Sequence, residues 1–184
     1  ASIALAGRKD ISDGAALLRL IDAHKVSFVQ ATPSTWHLLL NAGWVGSPDL
    51  RKVVVTGEPL PLTLASDLVA RCGEVWNMYG PTETTVWSTG GRVENPEGRG
   101  ISIGRPLANT QVYVLDSDFQ VCPIGVEGDM FVGGLGVSQG YVNLPDLTAE
   151  RFLPDRFAPH DANARIYRTG DRARWRNDGT LVHL

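Results

Sequence analysis

Three short apolar runs, VSFVQAT, LRKVVVTG and EVWNMYG, alternate with three segments of helical periodicity in residues 10–80, and this alternation constrains the fold most. The first helical segment, DISDGAALLRLIDAHK, sets Ala16, Leu17, Leu20, Ile21 and His24 at helical spacing behind the capping candidates Ser12 and Asp13. The second, PSTWHLLLNAG, has Pro33 at its start and Gly43 at its end, and LPLTLASDLVARCG repeats the pattern. The runs between them are too apolar to keep a wet face, so they predict an α/β fold with a parallel sheet flanked by helices and covered on both sides. Ligands of such sheets sit at the carboxyl ends of the strands. Those ends are residues 30–34, 56–59 and 78–85, all polar or Gly-containing turns expected to converge on one crevice.

Beyond Val93 the texture changes. Residues 94–104 form a Gly- and charge-rich stretch expected to be a loop. TQVYVLD, GDMFVGG, VSQGYV, ARIYRTGD and GTLVHL then read as short strands between Gly, Pro and Asp turns, with one helix at LPDLTAERF. This pattern predicts a small antiparallel, β-barrel-like subdomain. The boundary falls near 104, giving an α/β subdomain 1–104 that holds the crevice and a β-barrel-like subdomain 105–184.

Composition narrows the partners. Apolar residues make up 43% of the 184, yet no apolar run approaches the roughly 20 residues of a membrane helix, so no membrane partner is expected. A net charge of −3 with scattered Lys and Arg leaves no basic stripe for a phosphate backbone, which excludes nucleic acid. Cys72 and Cys122 lack CxxC spacing and read as thiols of a reducing, cytoplasmic compartment rather than a disulfide or zinc site. The chain opens without Met or a leader, which suggests a piece of something longer.

WNMYGPTETTVW concentrates the chemistry. A Gly80-Pro81 turn at a strand end lets backbone amides approach an anion, and threonine hydroxyls add donors to phosphate oxygens. Glu83 can hold Mg²⁺ through oxygen, and Tyr79 offers a face for a heterocycle. A rigid turn held by Ser/Thr bonds to backbone would use the same residues. In YRTGDRARW, Asp171 follows Gly170 and suits the two hydroxyls of a ribose, though Gly-Asp turns are common. Gly57-Glu58-Pro59 is a third turn that exposes its backbone.

The order and spacing of these motifs resemble the adenylation domains of nonribosomal peptide synthetases, within the adenylate-forming superfamily of acyl-CoA synthetases and luciferases. NMYGPTETT resembles the Asn-x-Tyr-Gly-Pro-Thr-Glu motif without a mismatch. GDMFVGGLGVSQGYVNLPDLTAERF and YRTGDRARW resemble the two motifs that follow it, and IGRPLANTQVYVLD and PIGVEGD are typical of the peptide-synthetase branch. The departures are mild: Asp129 for Glu, Ser138-Gln139 for Ala-Arg, Arg172 for Leu, and His183 where an aromatic beside the nucleotide is usual.

The resemblance implies roles residue by residue. Tyr79 would stack on adenine, with the 57–59 backbone (Gly57, Glu58, Pro59) and Asn77 at its edge, Gly80 in the turn and His183 nearby. Thr82 and Glu83 would be the catalytic pair, Thr82 bonding the α-phosphate and Glu83 holding Mg²⁺, while Asp171 takes the ribose hydroxyls. Gln30, Val54, Thr56, Met78, Val86 and Trp87 would line the amino-acid pocket, whose bulky side chains favour a small substrate such as glycine or alanine. With ATP and Mg²⁺ the product would be an aminoacyl adenylate, passed to the phosphopantetheine of a partner carrier domain. The family's phosphate loop and its catalytic lysine fall outside these residues, in the remaining adenylation subdomains of a parent chain, so the segment alone is expected to be inactive. An acyl-CoA synthetase-like ligase fragment and a non-catalytic nucleotide-binding or scaffold remnant are the alternatives.

Overall fold

The first two helices start where the sequence offers a cap. Asp13 accepts from Ala15 and Ala16 N–H at 2.9 and 3.1 Å and opens α1 (Gly14–Ala23). Thr32 caps α2 (Pro33–Asn41), whose first residue is a proline, and Pro61 precedes α3 (Leu62–Val69). Between them run β1 (Phe28–Ala31), β2 (Lys52–Val55) and β3 (Glu74–Tyr79), each within the apolar run read from the sequence. The structure is a computed structural model that describes residues 2–94, 96 and 100–184.

The chain divides into two compact units, residues 1–77 with 92–101, and residues 78–91 with 102–184. In the first unit β1, β2 and β3 pair in parallel, with Gln30 opposite Val54 and Val54 opposite Trp76. Alternation along the strands then sorts the faces. Val53, Val55 and Val75 point into a core with Ile21, Trp36, Leu39, Leu64 and Leu68, so α1, α2 and α3 all lie against one face of the sheet. Gln30, Val54 and Trp76 share the opposite face, on which Val54 is also buried. A Cβ on Gly14 would sit 2.5 Å from the Leu38 carbonyl, so only glycine lets α1 and α2 approach this closely.

The second unit is antiparallel. Its strands are β4 (Thr89–Arg92), β5 (Ser102–Pro106), β6 (Thr110–Leu115), β7 (Gly128–Gly134), β8 (Phe152–Pro154), β9 (Arg165–Trp175) and β10 (Leu181–His183). They pair in the line β4-β5-β10-β9-β7-β6, with β8 on the side of β9. Among the described residues this is an open sheet, and the pairings do not close the barrel-like arrangement expected from short strands between Gly, Pro and Asp turns. Val112, Val114, Met130, Val132, Ala173 and Leu181 form its core.

Three sequence expectations change here. VSQGYV, read as a strand, is a loop between β7 and α4 (Pro145–Arg151), because its backbone groups bond elsewhere rather than to a neighbouring strand. β4, β5 and β8 were not anticipated; β4 is half glycine and β8 has three residues, so neither carries an alternating pattern. The 94–104 stretch, read wholly as a loop, contains the start of β5, while its residues 95 and 97–99 lie outside the described residues. A Cβ on Gly104 would overlap the Gly90 carbonyl, which explains the glycine there.

Candidate functional site

The turn that follows β3 is built by backbone compression. A Cβ on Gly80 would fall 2.5 Å from the Val86 carbonyl oxygen and 2.7 Å from Ser88 N, so residue 80 must be glycine for the returning chain to pass. Ser88 N–H donates to the Tyr79 carbonyl at 2.8 Å and closes the loop. Inside it Thr82–Thr84 form one 3-10 turn, after which Thr85 and Val86 both adopt left-handed backbone, φ 64° and 66°. Two consecutive non-glycine residues in that region are strained, doubly so for β-branched side chains, and Val86 is 62% exposed besides.

The four oxygen-bearing side chains of the turn divide into two pairs. Thr84 is buried, its hydroxyl 2.6 Å from that of Ser88, and Thr85 donates to the Gly136 carbonyl at 2.8 Å. Both are spent on holding the turn. Thr82 is exposed, with no partner for its hydroxyl among the described residues, and Glu83 is half-buried. Tyr141 donates to Glu83 Oε1 at 2.6 Å, which leaves Oε2 as the available oxygen. Burial alone would raise the Glu83 pKa, but the bond from Tyr141, its own backbone N–H and the nearby Tyr167 hydroxyl behind Tyr141, with the charge of Arg151, outweigh that and hold it below its ordinary value.

Tyr79, Asp171 and His183 meet in the same unit. The Tyr79 hydroxyl donates to Asp171 Oδ2 at 2.5 Å, and His183 Nε2 lies 3.5 Å from Asp171 Oδ1. The Tyr79 and His183 rings are 5.8 Å apart and inclined by 34°. Burial, then the Asp171 carboxylate, pushes the Tyr79 phenol far above its ordinary value. The His183 contact, and against burial the Tyr79 bond, holds Asp171 below its own. Met78 packs tightly against Gly90, and the indole N–H of half-buried Trp87 is buried without a partner among the described residues.

The other sequence-selected residues belong to the first unit. Gly57 has a left-handed φ of 85°, and Glu58 reaches the start of α2, where Ser34 Oγ and N–H donate to its Oε2 at 2.7 and 3.3 Å. The Glu58 side chain therefore caps a helix terminus, a use the sequence reading did not assign. Pro59 is exposed and Asn77 buried. Gln30 is exposed; it shares a sheet face with Val54, and Thr56 follows two residues on, its N–H donating to the Ala31 carbonyl at 3.3 Å. The residues that sequence reasoning missed are Tyr141, Tyr167 and Ser34; each sat inside a quoted motif, but only the fold reveals their carboxylate partners.

No helix among the described residues is long and apolar enough to cross a membrane. No group of three or more His, Cys, Asp or Glu among them could hold a metal ion by itself.

Residues 1–142 match the AMP-binding enzyme family. The chain belongs to that family. A dimodular nonribosomal peptide synthase of Bacillus subtilis is 44% identical over 186 aligned residues, 100% of this chain and 8% of the relative. Tyrocidine synthase 3 of Brevibacillus parabrevis is 39% identical over 94% of this chain and 3% of its own length. Among solved structures, a four-domain holo nonribosomal peptide synthetase bound to AMP and glycine superposes with a TM-score of 0.88 at 41% identity, covering 97% of this chain and 13% of that one. The Klebsiella oxytoca NpsA N-terminal subdomain, in complex with 3-hydroxyanthranilyl-AMSN, gives 0.78 at 28% identity and covers 100% of this chain and 44% of that one. The chain thus spans under a tenth of the length of these two synthases.

Proposed function

We propose that the chain is part of an ATP-dependent adenylating ligase that forms an aminoacyl-AMP from an amino acid and ATP, for loading onto the phosphopantetheine of a carrier domain. The observation that carries this reading is the pairing of an exposed Thr82 hydroxyl with a Glu83 carboxylate held through one oxygen, at the end of β3 in a strained turn. The 41% identical neighbour bound to AMP and glycine supports it, and its glycine favours a small amino acid.

In this reading Thr82 donates to an α-phosphate oxygen, Tyr79 presents its ring to adenine, and Asp171 accepts the ribose hydroxyls with His183 beside it. Met78, Val86 and Trp87 of the same unit would border the amino acid. A single carboxylate suits Mg²⁺, which takes one or two protein oxygens and completes its shell with phosphate and water. When bound, the ion neutralises phosphate charge as the carboxylate approaches; Glu83 would hold it. The resemblance to adenylate-forming enzymes implies a catalytic lysine in a further subdomain of a longer polypeptide, so we expect no turnover by these residues alone. We take 1–104 and 105–184 as the subdomain division within such a parent.

The test is ATP–pyrophosphate exchange in the full-length polypeptide with a panel of amino acids. Glycine or alanine should support exchange, and Thr82→Ala or Glu83→Gln should lower kcat by about 10²–10³-fold, the cost of removing one preorganised electrostatic contact. Exchange that needs a fatty acid and ignores all amino acids would overturn the reading.

A further inference from the structure

The loop between β7 and α4 does more than connect them. Ser138 N–H donates to the Glu83 carbonyl at 2.8 Å, and Gly136 accepts from Thr85 Oγ1 at 2.8 Å. A Cβ on Gly136 would lie 2.8 Å from the Thr84 carbonyl oxygen, so the loop backbone rests directly on the Glu83 turn. The loop is itself fastened. Arg165 donates to the Gln139 and Ser138 carbonyls at 2.8 and 2.9 Å, and Thr148 Oγ1 accepts from Tyr141 N–H at 2.9 Å. Gly140, at φ 134°, leaves room for the Thr148 side chain.

From this anchored loop Tyr141 delivers its hydroxyl to Glu83 Oε1 at 2.6 Å, and the Tyr167 hydroxyl stands 3.2 Å from that of Tyr141. The single Tyr141 proton is committed to the carboxylate, so Tyr167 is the donor in any bond between the two phenols. Buried Phe152 fixes both rings, edge-on to Tyr141 at 5.4 Å and tilted against Tyr167 at 5.0 Å.

We infer that Tyr141, backed by Tyr167, is a positioning residue that clamps the Glu83 carboxylate through one oxygen and leaves the other aimed for a divalent cation. The inference rests on the proposed role of Glu83 as the Mg²⁺ ligand. A free glutamate at an exposed turn samples several rotamers, and fixing one of them lowers the ordering cost of metal binding. The effect therefore belongs to metal affinity, whereas nucleotide contacts made without metal do not involve it.

The experiment measures equilibrium binding of a fluorescent ATP analogue to the full-length polypeptide as MgCl₂ is raised, for the native chain, Tyr141→Phe and Tyr167→Phe. Tyr141→Phe should raise the half-saturating Mg²⁺ concentration about 10-fold, in line with loss of a hydrogen bond to a charged group, and leave metal-free binding unchanged. Tyr167→Phe, which keeps the direct bond, should raise it only about 2- to 3-fold, the low end of the worth of a neutral hydrogen bond. Metal-dependent binding that is the same in all three proteins overturns the clamp but not the nucleotide site. Absence of any Mg²⁺ response in the native chain overturns the adenylation reading and the clamp with it. A Tyr141→Phe protein that lost its fold would show a lowered thermal midpoint, and the Tyr167→Phe titration then decides: an unchanged half-saturation overturns the clamp.

Discussion

The two compact units put their polar side chains to different uses. In the first, the bond from Ser34 to Glu58 secures a helix start, and the apolar residues do the rest from periodic positions. In the second, two carboxylates are each held by a phenol far away in sequence, Tyr79 on Asp171 and Tyr141 on Glu83. The first unit is stabilised by burial and its polar contacts are local finishing. The second places charge, and its polar contacts decide where that charge points.

That contrast can be broken from the large end first. Trp36 is completely buried against Trp44, and neither indole N–H has a partner among the described residues. Trp36→Ala should therefore cost about 3–5 kcal/mol, while Trp36→Phe costs much less because no hydrogen bond is lost; chemical denaturation reads both. A first unit insensitive to Trp36→Ala would refute the claim that burial dominates there.

Next comes Gly80→Ala, which forces the 86–88 backbone away and should cost about 1–3 kcal/mol, as overpacking does. Its cost should appear in the second unit, as faster hydrogen exchange at Ser88 N–H. Ser34→Ala removes an exposed bond to Glu58 and should cost only about 0.5–1 kcal/mol, a cap's worth at the low end.

The smallest effect is the most specific. The folded pKa of Asp171 lies below its ordinary 3.8, so its partners stabilise the fold above that value, and the contribution disappears as pH falls through the depressed pKa. Asp171→Asn should flatten the acid limb of the stability profile below about pH 4, measured as thermal midpoint against pH. An unchanged acid limb would mean that His183 and Tyr79 do not stabilise the carboxylate in solution.

The first unit was legible because period and capping chemistry coincide: Asp13, Pro33 and the valines of β2 each point to one structure. The second was legible only in part. GDMFVGG and TQVYVLD announce their strands, but VSQGYV between similar turns is no strand, since the Ser138 N–H and C=O serve Glu83 and Arg165. In the candidate site, the Gly-Pro turn and Asp171 stood out by composition. That Thr84 and Thr85 are structural while Thr82 is open could not be read from four adjacent oxygens, because it depends on Ser88 and Gly136 meeting them in space.

The bond between Tyr79 and Asp171 gives the second unit a further property. The phenol engages Oδ2 of Asp171, while Oδ1 has only the 3.5 Å contact with His183, so the two oxygens of one carboxylate are already unlike. A donor approaching the group would meet one occupied side and one open side. The resting contact thus sets a direction of approach more than a depth of binding.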